Sequence, residues 1–334
     1  MTLLKAGFFP NATFVRPKFF FISGFASLSN ANYYYGFLCF VYAVTVVVNT
    51  FVMFMIYTEH SLHTAKYIAV FNLALCDLCG STAVIPQTID TFLFNSQLIT
   101  FDACLTNMFF VICFVSLQSF TLAVLSYDRC VAICVPLRYN EIVTNKSILV
   151  ITTMLWIFAG MLTLVAVGFV NTLSFCQSTV VSSFFCDHGP IHYMACNDNT
   201  PSVVMNWAHP IMTLWIPGIF IIVTYICIAR ALYKISEATE RLKAMKTCTS
   251  HLILVSVFYF PICFTYAMCP IIKPFARIIN MSVTTVLPPM LNPIIYSLKT
   301  EEFRETIRKL YRKKALQKKF INNSPHQNMD QNFK

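Results

Sequence analysis

Two charges, Asp128 and Arg129, stand side by side at the end of a long apolar stretch, and a lone acid, Asp77, lies inside another. Adjacent opposite charges at a helix edge can pair locally, or simply snorkel at a polar boundary. Asp77 has a sharper constraint. In a membrane-spanning helix an ionised carboxylate facing lipid costs roughly 2.5–3.5 kcal/mol, so it must face other helices. Asn49, Gln118, Ser119 and Asn292 sit on apolar stretches at heights from which they can reach it. The plainer role for such an acid is a buried, partly protonated carboxyl that ties helices together.

Four cysteines form the next group. Cys104 opens the third apolar stretch, and Cys176, Cys186 and Cys196 follow the fourth in a polar loop. On an oxidising side of a membrane they are expected to pair; four cysteines allow three connectivities, and the residues alone do not choose. Asp187, His188 and His192 in the same loop suggest a metal, but Gly189-Pro190 between the histidines predicts a broken helical face, so a surface-loop role is expected and no metal. Catalysis finds little support. The 8 glycines show no phosphate-cradling pattern, no zinc-binding His-Glu-x-x-His motif occurs, and no carboxylate pair falls within the apolar stretches, so neither an enzyme nor a resident cofactor is expected. A transporter is the other rival, but no inverted repeat is evident and one buried acid makes a poor ion path.

The elements that must position these residues follow from composition. Of 334 residues 57% are hydrophobic and only 11% charged, against about 25% charged in a soluble domain; mean hydropathy is +0.65. Lipid must be the solvent for much of this chain. Seven stretches reach the roughly 20 apolar residues a spanning helix needs: 34–57, 66–89, 104–134, 147–170, 203–233, 247–269 and 275–298. Pro86, Pro217, Pro261, Pro289 and Pro293 are tolerated there because neighbouring helices satisfy the freed carbonyls. The predicted fold is an all-α membrane protein, a seven-transmembrane helix bundle with a short amphipathic membrane-surface helix after the last span.

Lysine and arginine placement sets the expected orientation. With the amino terminus outside, 19 of the 24 basic residues fall on the inner side, ten of them at or after Lys299. The net charge of +10 therefore reads as attraction to anionic membrane lipid rather than to nucleic acid. Phe303, Ile307, Leu310 and Tyr311 recur at helical spacing, with Glu301 and Glu302 in the first turn, where acids suit the helix dipole. The expected organisation is an extracellular segment 1–33, the bundle 34–298, an amphipathic cytoplasmic helix 299–314 and a disordered tail 315–334. Met1–Pro10 lacks a cleavage pattern, so the first span is expected to act as signal anchor. Asn11-Ala12-Thr13 is an accessible glycosylation acceptor, whereas the matches at Asn145 and Asn322 face inward and Asn280-Met281-Ser282 lies against the membrane.

Four segments carry a family resemblance. Leu125-Ser126-Tyr127-Asp128-Arg129-Cys130-Val131-Ala132-Ile133-Cys134-Val135-Pro136-Leu137-Arg138-Tyr139 closes the third span. Leu62-His63-Thr64 with Tyr67 opens the second, Lys243 to Leu252 (KAMKTCTSHL) opens the sixth, and Pro289-Met290-Leu291-Asn292-Pro293-Ile294-Ile295-Tyr296 closes the seventh. In this order they closely resemble odorant receptors of the rhodopsin-like, G-protein-coupled class, over about residues 30–310, with a fish-type texture. Cys130 departs from the family's usual tyrosine, Ala65-Lys66 from a common Pro-Met, and Val48 from a glycine before Asn49. These departures bear on basal activity and coupling efficiency rather than on the fold.

The resemblance implies roles. Arg129 leaves Asp128 on activation and packs against the inserted helix of a heterotrimeric G protein of the stimulatory olfactory type, in a cleft with Tyr225 and Lys246, and cyclic AMP rises. Asp77, with Asn49, Gln118, Ser119 and Asn292, is a polar switch that can hold a structural sodium ion. Asn292, Pro293 and Tyr296 form a deformable turn beside it. Cys104 pairs with Cys186 and Cys176 with Cys196. Together with helical spacing, the resemblance places a small-molecule odorant in the outer half of the bundle, against Val111, Ile112, Val115 and Ser116 of the third span, Tyr259, Ile262, Cys263 and Tyr266 of the sixth, and Ser282 and Thr285 of the seventh. Val111 and Val286 occupy the positions where amine receptors hold an aspartate and opsins a lysine, which argues against a cationic amine and a retinal Schiff base. A rhodopsin-like receptor for a non-odorant ligand is the alternative. The expected location is the plasma membrane, in the cilia of olfactory sensory neurons.

Overall fold

The computed structural model describes residues 15–25, 31–93, 97–176, 178–268, 274–299 and 303–308. Asn11, Glu301, Glu302, Leu310, Tyr311 and the tail 315–334 lie outside the described residues.

Seven long helices dominate: α1 Ala31–Thr58, α2 Ala65–Leu93, α3 Phe101–Cys134, α4 Asn145–Asn171, α5 Thr200–Lys234, α6 Ala238–Met268 and α7 Pro274–Lys299. Each is long and apolar enough to cross a membrane. Their outward faces carry Phe40, Val47, Phe54, Met154, Met161 and Ile219, all exposed; so continuous an apolar surface suits lipid and not water. The sixth span, expected to start at 247, begins as a helix at Ala238. Its first turns are polar, and hydropathy sees only the lipid-crossing part of a helix. Local signals start the others: Thr100 caps α3 by accepting from the Ala103 amide, and Thr144 and Ser147 form a reciprocal capping box at α4.

Helix α3 is the axle of the bundle, packing on α2, α4, α5 and α6, while α7 packs on α1, α2 and α6. Polar bonds fix the inner contacts. Asn72 of α2 donates to Thr121 of α3 at 2.7 Å and accepts from the Trp156 indole of α4 at 2.7 Å. One apolar core fills the loop end of the bundle around Met108, Phe184 and Val286, and another fills the Asp128 end around Leu73, Leu125 and Leu254.

A small sheet caps the loop end. Strand β1 (Phe19–Ile22) lies between β2 (Leu98–Thr100), antiparallel to it, and β3 (Val180–Val181), parallel to it. Phe20 is fully buried and packs on Phe101 and Phe175, so the segment before α1 is stitched into the cap. Beyond α7, Phe303–Arg308 is helical and Phe303 is buried in the core of the Asp128 end.

Candidate ligand cavity and coupling site

Two disulfides hold the loop between α4 and α5. Cys104, in the first turn of α3, is bonded to Cys186 with a Cα–Cα distance of 5.4 Å, and Cys176 to Cys196 with 5.9 Å. The first tie carries Phe185, Asp187 and His188 over the bundle mouth, where they roof a cavity of about 770 Å³. Of the ten residues expected to meet a ligand, Val111, Ile112, Val115, Ser116, Ile262, Tyr266 and Thr285 line it. Tyr259, Cys263 and Ser282 do not. The cavity face of α6 runs through Phe258, Ile262, Thr265 and Tyr266 and that of α7 through Arg277, Met281, Thr284 and Thr285; Tyr259, Cys263 and Ser282 each sit one residue, about 100° of helix, off those faces. The Tyr259 hydroxyl instead bonds Ser119 at 2.7 Å, and the Ser282 hydroxyl meets Tyr34 of α1.

The roof is held by bonds the sequence did not announce. Asp187 takes an ion pair from Arg277 of α7 at 2.7 Å. His188 and His192, expected on the surface, are buried on one face of a five-residue helix, His188–His192. Gly189 and Pro190 occupy its first turn, where missing donors cost nothing, so they begin the helix instead of breaking it. The His188 ring bonds Asn206 at 3.2 Å and Ser202 at 3.3 Å on α5. Burial pushes the pKa of His188 and of His192 below the usual imidazole range, with Asp187 pulling weakly the other way. Helix α5 also carries a π turn, Ile211–Trp215, directly after Pro210. The wider turn presents Thr213, Leu214 and Trp215 to the cavity, and Thr213 bonds His209, which in turn meets Thr163 of α4 at 3.2 Å.

At the cavity floor is Gln118. Its amide donates to Asp77 Oδ1 at 2.9 Å, while Asn292 donates to Asp77 Oδ2 at 2.9 Å. Two of the four expected neighbours therefore hold the carboxylate. Ser119 turns to Tyr259 instead, and Asn49 donates to the carbonyls of Thr45 and Pro289. Three oxygens of this buried cluster, Asn49 Oδ1, Asn292 Oδ1 and Ser81 Oγ, meet no hydrogen-bond partner.

At the opposite end from the disulfides, Arg129 pairs with Asp128 at 3.0 Å, and Tyr139 donates to the other Asp128 oxygen at 2.7 Å. Tyr296 of α7 lies within electrostatic reach of the guanidinium.

A family model described as olfactory receptor matches residues 38–314. The chain is 34% identical to human olfactory receptor 51F2 over 92% of its own length and 93% of that protein, and 32% identical to rat olfactory receptor 51E2 over 88% and 93%. Human olfactory receptor 51I1 is 36% identical over 82% of the chain and 88% of that protein. The chain belongs to the olfactory receptor family.

It is therefore a multi-pass membrane receptor of the G-protein-coupled class, a family of small-molecule sensors and not of enzymes. In this olfactory receptor the Asp128 end also holds a buried histidine from the KAMKTCTSHL segment. His251, buried on α6, bonds the Tyr225 hydroxyl of α5 at 2.7 Å, with the rings stacked. Tyr225 thereby bonds His251 and the Cys248 carbonyl of α6, while Lys246, on the same helix, is exposed. Only the fold could reveal this, because residues 225 and 251 lie on different helices. The Asn280 amide, in the third glycosylation match, is engaged by the Pro261 carbonyl at 2.9 Å, which leaves it inside the helix packing.

Proposed function

We propose that this olfactory receptor binds an odorant in the roofed cavity and activates a stimulatory olfactory-type heterotrimeric G protein at the Arg129 end, raising cyclic AMP. The observation that carries the reading is the double role of Gln118, which lines the cavity and bonds Asp77. From Asp77 the polar chain continues to Asn292, next to Pro293, and one turn further to Tyr296 beside Arg129. A ligand that displaces Gln118 thus acts on the turn of α7 that leads to Tyr296, within electrostatic reach of the Asp128–Arg129 pair. Pro293 removes a backbone donor there and makes that turn cheap to deform. The ligand shifts the balance only by its differential affinity for the two arrangements.

The cavity wall is mostly apolar, with hydroxyls that include Ser116, Thr213, Thr265, Tyr266, Thr284 and Thr285, and its charges, Asp187 of the roof and Arg277 of α7, are paired with each other. That suits an apolar body oriented by one or two hydrogen bonds. Asp77, Asn292, Asn49 and Ser81 present hard oxygen donors, and the three unpartnered oxygens fit a sodium ion with water. Bound there, sodium would supply a counter-charge to Asp77.

In the orientation read from basic residues, the disulfide cap faces outside and Arg129 the cytosol, in the plasma membrane of olfactory cilia, with the basic segment after α7 on anionic lipid. The segments 1–33, 299–314 and 315–334 then form the outer terminus, the surface helix and the tail. The deciding experiment is a cyclic AMP screen of the expressed receptor against amino acids, bile acids, steroids and volatile compounds, repeated with Gln118→Leu. Agonists that raise cyclic AMP through the wild type and fail through surface-expressed Gln118→Leu support the reading. Equal responses from both would remove its central link.

A further inference from the structure

We propose that the roofed cavity recognises an α-amino acid with a large apolar side chain, its carboxylate on Arg277 and its ammonium on Asp187. This rests on the proposal that the cavity is the ligand site.

Besides its histidines, the cavity lining carries one formal charge of each sign, Asp187 and Arg277. They meet at 2.7 Å, with side chains 13% and 24% exposed. A ligand with a single charge breaks this pair and replaces only half of it. An anion taken by Arg277 strands Asp187, a cation taken by Asp187 strands Arg277, and a desolvated charge without a partner is expensive. A zwitterion strands neither. The contact between the two residues also sets the ligand's shape: its own charges must be neighbours, as they are on one α-carbon. A peptide or an ω-amino acid holds them too far apart.

The surroundings of the pair leave room for such a head group. A Cβ added to Gly189, which also lines the cavity, would stand 3.7 Å from Arg277 Nη2, 3.8 Å from Asn206 Oδ1 and 3.9 Å from Asp187 Oδ1. One cationic donor and two acceptor oxygens therefore converge on the gap that this glycine leaves. Those are the partners that a carboxylate and an ammonium group require. Each has capacity to spare. Arg277 binds Asp187 through Nη2, and its guanidinium has further N–H donors. Asp187 Oδ1 accepts the Gly189 amide at a long 3.3 Å. An apolar ligand in this gap would bury the three polar atoms against carbon, which is unfavourable. Elsewhere the walls are apolar, through Ile112, Leu214, Trp215 and Ile262, and they take the amino acid's side chain.

The test is binding of tritiated L-phenylalanine to the full-length receptor purified in detergent, with competition by altered analogues. Saturable binding is expected, displaced by unlabelled L-leucine, L-methionine and L-tryptophan. Phenylalanine methyl ester (a cation), N-acetylphenylalanine (an anion), the uncharged N-acetyl methyl ester and β-homophenylalanine should compete more weakly by an order of magnitude or more. Arg277→Gln and Asp187→Asn should each lose that much affinity. Gly189→Ala keeps the ion pair and makes contacts of ordinary length, yet fills the gap, so its affinity should fall several-fold; a roof that needs only its latch would not respond. The competition series uses the wild type, so it stands even if a variant misfolds. No saturable binding up to millimolar concentration, or equal competition by the ester or the acetyl compound, overturns the proposal. A cyclic AMP response to uncharged or singly charged compounds that is lost in Gln118→Leu, with no amino acid bound, overturns the zwitterion and leaves the cavity's role standing. Amino acid binding that none of the three variants disturbs overturns the cavity as its site.

Discussion

Asn49 of α1 donates its side-chain amide to the backbone carbonyl of Pro289 on α7 at 2.9 Å. The reason is four residues away. A helical carbonyl is normally satisfied by the amide four positions on, and for Pro289 that position is Pro293, which has no N–H. Asn49 therefore replaces the missing donor from another helix. Asn49→Leu keeps the branching at Cγ, in a somewhat larger side chain, and removes the donor, leaving a buried carbonyl unsatisfied at a cost of about 1–3 kcal/mol. The purified receptor should melt several degrees lower, and an unchanged melting temperature would show that Pro289 needs no partner.

Asp77 allows a separate test. Its oxygens are taken by Gln118 and Asn292, and the unpartnered oxygens of Asn49, Asn292 and Ser81 complete the cluster. Asp77→Asn removes the charge that would attract sodium while keeping the shape. Replacing sodium chloride by choline chloride should shift agonist potency in the wild type and leave Asp77→Asn unmoved. Equal shifts in both proteins would place the sodium effect elsewhere.

The seven helices were legible because lipid imposes a simple length and polarity rule, and α4, read as 147–170, runs Asn145–Asn171. What escaped the sequence depends on contacts between distant residues. Hydropathy cannot see that α6 continues as a polar helix back to Ala238. A Gly-Pro pair reads as a breaker unless the helix is known to start there, which hid the burial of His188 and His192. Helical spacing found the cavity walls, but a helix face is only about 100° wide per step, so Tyr259, Cys263 and Ser282 fell to neighbouring faces. The Asp187–Arg277 latch joins residues 90 apart in sequence, and no local pattern signals it.

The roof should be acid-sensitive. Burial lowers the folded pKa of His188 and His192, while the unfolded chain has imidazoles near the ordinary value of about 6.5. A base with a depressed pKa stabilises the fold fully above its unfolded pKa, and that contribution is lost as pH falls towards the folded pKa. Between pH 7.4 and about 5.5 the growing preference for a charged ring, which burial penalises although the bond to Asn206 favours it, should destabilise the packing of His188 in the roof, and agonist potency should drop. His188→Gln keeps polar bonding without titrating, so its potency should change less over the same range. An identical pH profile in the variant would separate the acid effect from this histidine.

Tyr139 and Arg129 share Asp128, each on one oxygen, and this sharing sets the expected behaviour at the proposed coupling end. Tyr139→Phe removes one hydrogen bond to a charged, buried carboxylate, worth about 1.5–3 kcal/mol. The bond belongs to the arrangement in which Asp128 also holds Arg129, so its loss favours release of Arg129 and should raise ligand-free cyclic AMP. Arg129→Ala acts at the other end of the same step. It should leave surface expression intact and abolish the agonist response, and the double variant Tyr139→Phe with Arg129→Ala should be silent. The order of effects is the informative part: Tyr139 acts through Asp128 on Arg129, so removing Arg129 must cancel the gain. Ligand-free signalling that persists in the double variant would show that Tyr139 restrains the receptor by another route.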